Sequence, residues 1–230
     1  MKVYQKSLHF AVCIVILFSC VACTKEPSGN ESDIYGYWVD PSDGNAYRTI
    51  QLGSQLWMTC NLNIGEMIDA GNDQLNNGII EKYCYDNDPL MCGKYGGLYQ
   101  WGEAMGYDTT ESTQGICPAG WHIPSDSDWK ILEMYLGMSG ESAGELFWRG
   151  TDQGLLIRMT GETGFKAMPA GNRHFSGGFN QKGHKGYFWT STTADDGHAW
   201  RRGVSPAEDG IYRSVNLKSF GFSVRCMKYE

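Results

Sequence analysis

Eight cysteines, at positions 13, 20, 23, 60, 84, 92, 117 and 226, constrain the fold of this chain more than any other feature of its sequence. Cysteines form lasting disulfides in oxidising compartments and stay reduced in the cytosol. The compartment therefore decides whether these residues cross-link the fold or act as thiols. The N-terminal segment is the part of the sequence that indicates the compartment.

Residues 1–22 have the layout of a signal peptide. Lys2 and Lys6 precede an apolar run from residue 10 to residue 18, which is shorter than the ~20 residues that a membrane-spanning helix needs. The following Ser-Cys-Val-Ala-Cys resembles the bacterial lipoprotein signal, in which a cysteine after a small residue becomes the lipid-bearing first residue of the mature chain. We expect lipidation of Cys23, with Cys20 as the competing position and an uncleaved anchor or ordinary secretion as further alternatives.

The predicted mature protein is an acidic domain on a lipid anchor. The signal peptide holds two lysines and no acid, so its removal changes the formal net charge from −7 to −9. This charge argues against nucleic acid as a partner and against general binding to anionic membranes. Residues 23–33 lack large apolar side chains and read as a lipidated tether, followed by one domain over residues 34–230. We expect the protein in the cell envelope, at the outer membrane or cell surface, with the membrane contacted through the lipid.

The five other mature cysteines allow two disulfides and one remaining thiol, in fifteen arrangements. Turn-forming Asp, Asn and Pro residues lie between Cys84 and Cys92 and favour a bond between them. Cys226 ends a strictly alternating segment and is expected to point inward, which favours a bond with Cys117. A Cys117–Cys226 bond would close a loop of about a hundred residues, for which chain-entropy models give about 4–5 kcal/mol of stabilisation. Cys60 is left unassigned.

The pattern of residues predicts an α+β fold with short antiparallel strands, one or two helices and long glycine-rich, aromatic loops. Gly53 and Ser54 separate two strand-like runs as a two-residue hairpin turn would. Ser125 with Asp128 forms a capping box that begins a helix, and Gly137 ends it. A shorter helix is expected around residues 142–147. Residues 61–80 read as loop, residues 95–105 as irregular or strand-edge structure, and the chain from residue 165 onward as strands and turns.

Six ordered blocks of sequence resemble the Fibrobacter succinogenes major paralogous domain family of bacterial secreted proteins and lipoproteins. They are DGNAYRTIQLGSQLWM, YCYDNDP with CGKYGGLYQW, GICPAGWHIPSDSDWKIL, GFKAMPAGNR, FWTSTT and GFSVRC. The block order is similar to the C-type-lectin-like fold, which is also used by the formylglycine-generating enzyme group. The resemblance implies a domain whose N- and C-terminal strands meet. Family members more often have Glu in place of Cys60, so the resemblance assigns this thiol no role.

The sequence offers little for catalysis. The histidines lack the spacing of metalloproteases, and no serine stands in a nucleophile elbow. His122, between Trp121 and the helix cap, reads as a structural histidine, and Cys60 reads as a buried structural cysteine. We therefore expect no enzyme activity and no catalytic residue, the alternative being an enzyme or enzyme remnant related to the formylglycine-generating group.

Three acidic turns hold oxygen atoms of the kind that Ca²⁺ prefers, but none matches a known calcium loop. They are Asp86-Asn87-Asp88, the turn with Asp40, Asp43 and Asn45, and Asp195-Asp196-Gly197. Turn stabilisation is the favoured interpretation, so no metal or other cofactor is predicted.

The leading hypothesis for function is a binding module for a glycan or a surface protein, and a structural subunit of a surface assembly is the third alternative. The ligand is expected on glycine-rich, aromatic loops between residues 170 and 212. Trp189, Trp200 and Arg173 are the candidate ligand-binding residues, because flat indole rings stack on sugars. Trp148 is a further exposed candidate.

Overall fold

Alternating and apolar runs in the sequence form two main antiparallel sheets, and short helices connect and cover them. The computed structural model describes residues 35–39 and 46–229. The predicted signal peptide, Cys23, the tether and the turn with Asp40, Asp43 and Asn45 lie outside the described residues.

The strands are short, as the many glycines and turns predict. Their bounds are β1 Tyr35–Val39, β2 Ala46–Leu52, β3 Gln55–Met58, β4 Glu66–Met67, β5 Glu81–Lys82, β6 Trp121–His122, β7 Phe147–Arg149, β8 Asn172–Arg173, β9 Phe179–Asn180, β10 Gly186–Thr193, β11 His198–Ser205, β12 Glu208–Leu217 and β13 Met227–Lys228. The helices are α1 Pro89–Tyr95, α2 Trp101–Ala104, α3 Asp126–Tyr135, α4 Gly140–Gly144 and α5 Gln153–Ile157.

The first main sheet has five strands in the order β1-β2-β3-β13-β6. The predicted hairpin is confirmed: β2 and β3 pair around Gly53, whose φ of 61° is a conformation that glycine adopts without steric cost. The C-terminal strand β13 pairs with β3 through Met227 and Trp57. The N- and C-terminal parts of the domain therefore meet in one sheet.

The predicted capping box at Ser125 is confirmed and begins α3. The Ser125 side chain accepts a hydrogen bond from the Asp128 amide, and Asp128 Oδ2 accepts one from the Ser125 amide. Trp129 and Leu132 on one face of α3 are fully buried against the second main sheet. The local sequence thus places the acidic N-terminus of α3 against this sheet.

The second main sheet has four strands in the order β10-β11-β12-β7. Side chains alternate between its two faces. Phe188 and Val204 on one face pack in a core cluster with Trp129 of α3. Trp189, on the other face, belongs to a second core cluster with Phe222. Much of the segment expected as ligand-binding loops is therefore regular sheet.

The two predicted disulfides are present in the structure. The Sγ atoms of Cys84 and Cys92 are 2.05 Å apart, and those of Cys117 and Cys226 are 2.06 Å apart. Cys226 is fully buried, as the alternating pattern predicts. The second bond ties the segment before β6 to the segment before β13 and closes a loop with a sequence separation of 109.

Three local expectations differ from the structure. The sequence predicts irregular or strand-edge structure at residues 101–104, but they form the helix α2, in which the Ala104 amide donates to the Gln100 carbonyl. The short helix expected around 142–147 lies at Gly140–Gly144, capped by Ser139, and residue 147 begins β7. Residues 165–168 contribute a single bridge between Ala167 and Arg158 and no named strand.

Within the described residues, none of the helices combines the length and the apolar character required to cross a membrane.

Candidate functional site

Arg201 and Arg202 are neighbours on β11 and their side chains point to opposite faces of the four-stranded sheet. Arg202 faces α3, where its Nε donates to Glu133 and its Nη1 donates to Asp126, each at 2.7 Å. Arg201 faces the other side. The two faces therefore place the same side-chain chemistry in two different environments.

The α3 side of the sheet holds a paired network of buried charges. Asp126 accepts hydrogen bonds from Arg213 and Arg202, and Glu133 accepts from Arg149 and Arg202. Burial by itself raises the pKa of the Asp126 carboxyl, but Arg213, Arg202 and Lys130 outweigh it and hold this pKa well below its usual range. This network is satisfied internally, and its role is to join α3 to the sheet.

Arg201 differs from every other buried arginine in the described part of the chain. Six arginines are buried there: Arg149, Arg173, Arg201, Arg202, Arg213 and Arg225. The other five donate to carboxylates, carbonyls or an amide oxygen. Arg201 is 9% exposed, and its Nε and Nη1 atoms have no hydrogen-bond partner.

Aromatic rings take the place of acceptors around Arg201. Its guanidinium carbon lies 4.6 Å from the ring centre of Tyr187, 5.0 Å from that of Tyr212 and 5.5 Å from that of Phe222. These cation–π contacts hold the side chain in place and leave its hydrogen-bonding capacity unused.

The guanidinium lines a cleft that we call the arginine cradle. The cradle has a volume of about 90 Å³ and is lined chiefly by Trp148, Lys185, Tyr187, Arg201, Gly203 and Tyr212. Gly203 is its floor: a Cβ atom at this position would lie 3.5 Å from Arg201 Nη1 and 3.6 Å from the Tyr187 ring. The absence of a side chain there leaves room for the Arg201 guanidinium between the two tyrosines.

Trp148 on the edge strand β7 forms a further wall of the cradle. Its indole meets the Tyr212 ring edge-on at 5.1 Å. The preceding residue, Phe147, has a positive φ of 65° and a side chain that is 58% exposed. Such a backbone conformation is uncommon for a non-glycine residue and is found more often near functional sites.

An apolar cavity of about 280 Å³ adjoins the cradle. Val204 lines both spaces, and Met159, Ala167 and Pro169 line the apolar one. The two spaces therefore meet at Val204, near the end of β11.

The cradle is electropositive. Arg201 and Lys185 line it, and its lining includes no acidic residue. Burial lowers the pKa of the Arg201 guanidinium, and burial raises the pKa of the Tyr187 hydroxyl. An unpaired cation held away from water is a favourable partner for a ligand atom that carries negative charge or a lone pair.

Two of the sequence-predicted ligand residues are structural, which corrects the prediction. Trp189 is 1% exposed and its Nε1 donates to the Tyr99 carbonyl, so its ring has no free face. Arg173 is also 1% exposed, and it donates to the carbonyls of Ala70 and Ser219. The sheet brings neither residue to a surface where a ligand could contact it.

Trp200 is half-buried on β11 and lies on the α3 side of the sheet. Arg213 covers its ring, with the guanidinium carbon 3.7 Å from the ring centre. Trp148 is the candidate tryptophan that the structure brings into the cradle.

His122 is buried and stacks on Tyr229 at 4.5 Å, with its Nε2 3.6 Å from Asp128. These contacts fit the predicted structural histidine. Cys60 is 2% exposed and disulfide-bonded, so it is not the remaining thiol that the sequence predicts.

The two acidic turns within the described residues are occupied by the protein's own groups. Asn87 accepts from the Ala70 amide, and Asp88 caps α1. Asp195 accepts from the Gly197 amide, and the Lys218 ammonium sits on the carbonyls of residues 195 and 196. Among residues 35–39 and 46–229, no three His, Cys, Asp or Glu side chains are grouped closely enough to hold a metal ion.

Sequence reasoning named none of the residues Arg201, Tyr187, Gly203 and Tyr212. One signal was present: adjacent arginines within a strand must face opposite sides, so one of them faces away from any shared acidic partner. The positions of Tyr187 and Tyr212 beside Arg201 depend on strand register, which becomes visible only in the fold.

Comparisons with known proteins place the chain in a family. No curated protein and no solved structure matches it. The family model described as the Fibrobacter succinogenes major domain matches residues 50–228, which include both main sheets except β1 and the first residues of β2. The chain therefore belongs to the Fibrobacter succinogenes major domain family.

Proposed function

We propose that this protein is a non-enzymatic binding module of the bacterial envelope, anchored by a lipid on Cys23, and that the arginine cradle binds a glycan. One observation carries the proposal: the guanidinium of Arg201 is the one buried arginine side chain in the described residues without an acceptor, and it lines a cleft walled by aromatic rings. Protein sites for small ligands combine apolar walls with a few polar groups that fix orientation.

The walls of the cradle suit a sugar. Trp148, Tyr187 and Tyr212 supply ring faces and edges against which the C–H groups of a sugar can pack. Arg201 and Lys185 supply donors for its oxygen atoms. The cleft has a volume of about 90 Å³, which suits one unit of a longer chain.

We also propose a C-type-lectin-like arrangement for the fold. It is supported by the order of the sequence blocks and by the pairing of the C-terminal β13 with β3. The resemblance of the N-terminus to a lipoprotein signal supports the lipid anchor and the location at the outer membrane or cell surface.

A non-enzymatic role is favoured over the enzyme alternative by the chemistry of the cysteines. Cys84, Cys92, Cys117 and Cys226 are bonded in pairs, so none of the four offers a thiolate as a nucleophile or ligand. The donors of the cradle are cationic and aromatic side chains, which bind and orient a ligand.

The test is a glycan array with the full chain in mild detergent, followed by calorimetry on each ligand found. We expect Tyr212→Ala and Trp148→Ala to weaken binding about tenfold or more, since each removes an aromatic wall. Phe175→Ala is the matched control, because Phe175 is a half-exposed aromatic residue outside the cradle. The proposal would be contradicted if the chain bound no glycan, or if both cradle variants bound it as tightly as the natural chain. Binding of a surface protein alone would contradict it too, because the ligand would then belong to a different class.

A further inference from the structure

The positive charge of Arg201 in the arginine cradle is not balanced by any acidic residue of the lining, and this indicates the chemical class of the ligand. We propose that the sugar unit bound in the cradle carries a carboxylate, which the guanidinium of Arg201 binds; this inference rests on the proposed function. The ligand class is therefore an acidic glycan that contains a uronic or similar sugar acid.

The two faces of the sheet differ in how their buried arginines are partnered. On the α3 face, three buried arginines share two buried carboxylates, Asp126 and Glu133. On the cradle face, no carboxylate of the described residues lies within ion-pair distance of Arg201. Arg201 therefore lacks the charged partners that the arginines of the α3 face have, and its Nε and Nη1 have no neutral acceptor in their place.

The unpaired guanidinium of Arg201 is costly to bury. A buried charge without a partner is unfavourable, because the interior replaces its lost hydration poorly. The rings of Tyr187 and Tyr212 offset part of this cost but accept no conventional hydrogen bond. A ligand anion that reaches the guanidinium from the cleft supplies the missing opposite charge.

The rings on both sides of Arg201 restrict how a ligand can approach it. The guanidinium itself lies between the Tyr187 and Tyr212 rings and beside Gly203, where a Cβ would lie 3.5 Å from Arg201 Nη1. A ligand group therefore meets the guanidinium from the cleft. A carboxylate is planar and forms paired hydrogen bonds with a guanidinium, whereas a sulfate ester is tetrahedral and broader.

Lys185 adds a second cation to the cradle. Its side chain is partly exposed, unlike that of Arg201. Binding of an acidic sugar is therefore expected to weaken as salt rises, because added ions screen the charge of Lys185.

The experiment compares matched ligands on the full chain by calorimetry. The probes are oligosaccharides that end in glucuronic or galacturonic acid, their carboxyl-reduced counterparts and their 6-sulfated counterparts. We expect the acid to bind about tenfold or more tightly than the reduced form, and more tightly than the sulfated form, as expected for a charged hydrogen-bonded pair.

Arg201→Met is the decisive variant, since methionine keeps an unbranched side chain between the rings and removes the charge. We expect it to fold with unchanged or higher stability and to bind the acid and the reduced form equally. Arg225→Met is the matched control: Arg225 is buried but donates to the carbonyls of residues 58 and 165, so its loss should lower the stability. Arg201→Lys keeps the charge and should retain part of the preference.

The outcomes separate the two proposals. Equal binding of the acid and the reduced sugar by the natural chain overturns the proposal of a carboxylate ligand and leaves the proposal of glycan binding in place. Tighter binding of the sulfated form also overturns the proposal of a carboxylate ligand. A preference for the acid that survives Arg201→Met overturns the role of Arg201. Failure of every saccharide to bind overturns the proposed function itself.

Discussion

Gly203 and Tyr212 face each other across the β11–β12 ladder so closely that a Cβ on Gly203 would lie 3.1 Å from the Cβ of Tyr212. No side chain larger than hydrogen fits there without movement of a neighbour. The openness of the arginine cradle therefore depends on this one glycine.

We predict that Gly203→Ala weakens ligand binding about tenfold, because the methyl group occupies the floor and displaces Tyr212 or Arg201. The stability cost is expected to stay within about 1–3 kcal/mol, the usual range for overpacking. Calorimetry and denaturant unfolding measure the two effects separately. The control is Gly197→Ala on the same hairpin, where a Cβ would meet Asp195 at an ordinary 3.7 Å; similar binding losses in both variants would contradict the prediction.

The local parts of this fold could be predicted from the sequence. The Ser125 capping box and the Gly53-Ser54 hairpin are set by residues within a few positions of each other, so short-range chemistry decides them. The disulfides were predictable for similar reasons, from turn residues in one case and strand alternation in the other.

The candidate site could not be predicted in the same way, because it depends on how two sheets pack. Phe188 and Trp189 are neighbours on β10 and point to opposite faces of the sheet, yet packing against Phe222 buries Trp189 as well. Arg173 lies in a glycine-rich segment that predicts an exposed loop, but its guanidinium holds a distant loop. Arg201 is brought between two tyrosines by the strand register, which the sequence does not show.

The long-range disulfide should contribute more stability than the short one. Cys117–Cys226 has a sequence separation of 109 and Cys84–Cys92 one of 8. Chain-entropy models give about 4.8 kcal/mol for the longer loop and about 2.5 kcal/mol for the shorter one. We predict this order for the double alanine variants of each pair in denaturant unfolding. Equal losses, or a larger loss from the shorter loop, would show that strain or packing outweighs loop entropy.

Loss of Arg173 should release a loop and leave the cradle intact. Its guanidinium donates to the carbonyls of Ala70, Asn72 and Ser219, which Arg173→Ala would leave without these donors. We predict faster amide hydrogen exchange around residues 69–75, with cradle binding reduced less than twofold. Lys182→Ala is the control, because it removes a partly exposed ion pair with Asp86. Unchanged exchange around residues 69–75 would refute this anchoring role.

The free energy of unfolding should fall as the pH drops below about 4, and Asp126 should account for much of this fall. Since the folded state holds the pKa of Asp126 below its usual value, the unfolded chain takes up the proton first as the pH falls. The contribution of Asp126 is thus complete above about pH 4 and is lost progressively below it. We predict that Asp126→Asn costs about 3–5 kcal/mol at neutral pH, because Arg202 and Arg213 lose their shared anion, and that the variant shows a shallower loss of stability below pH 4.

Urea unfolding between pH 2.5 and pH 7 measures both effects. Asp209→Asn is the control, since its exposed pair with Arg158 should be worth less than about 1 kcal/mol. Parallel pH profiles for the natural chain and Asp126→Asn would mean that another carboxyl group governs the acid response.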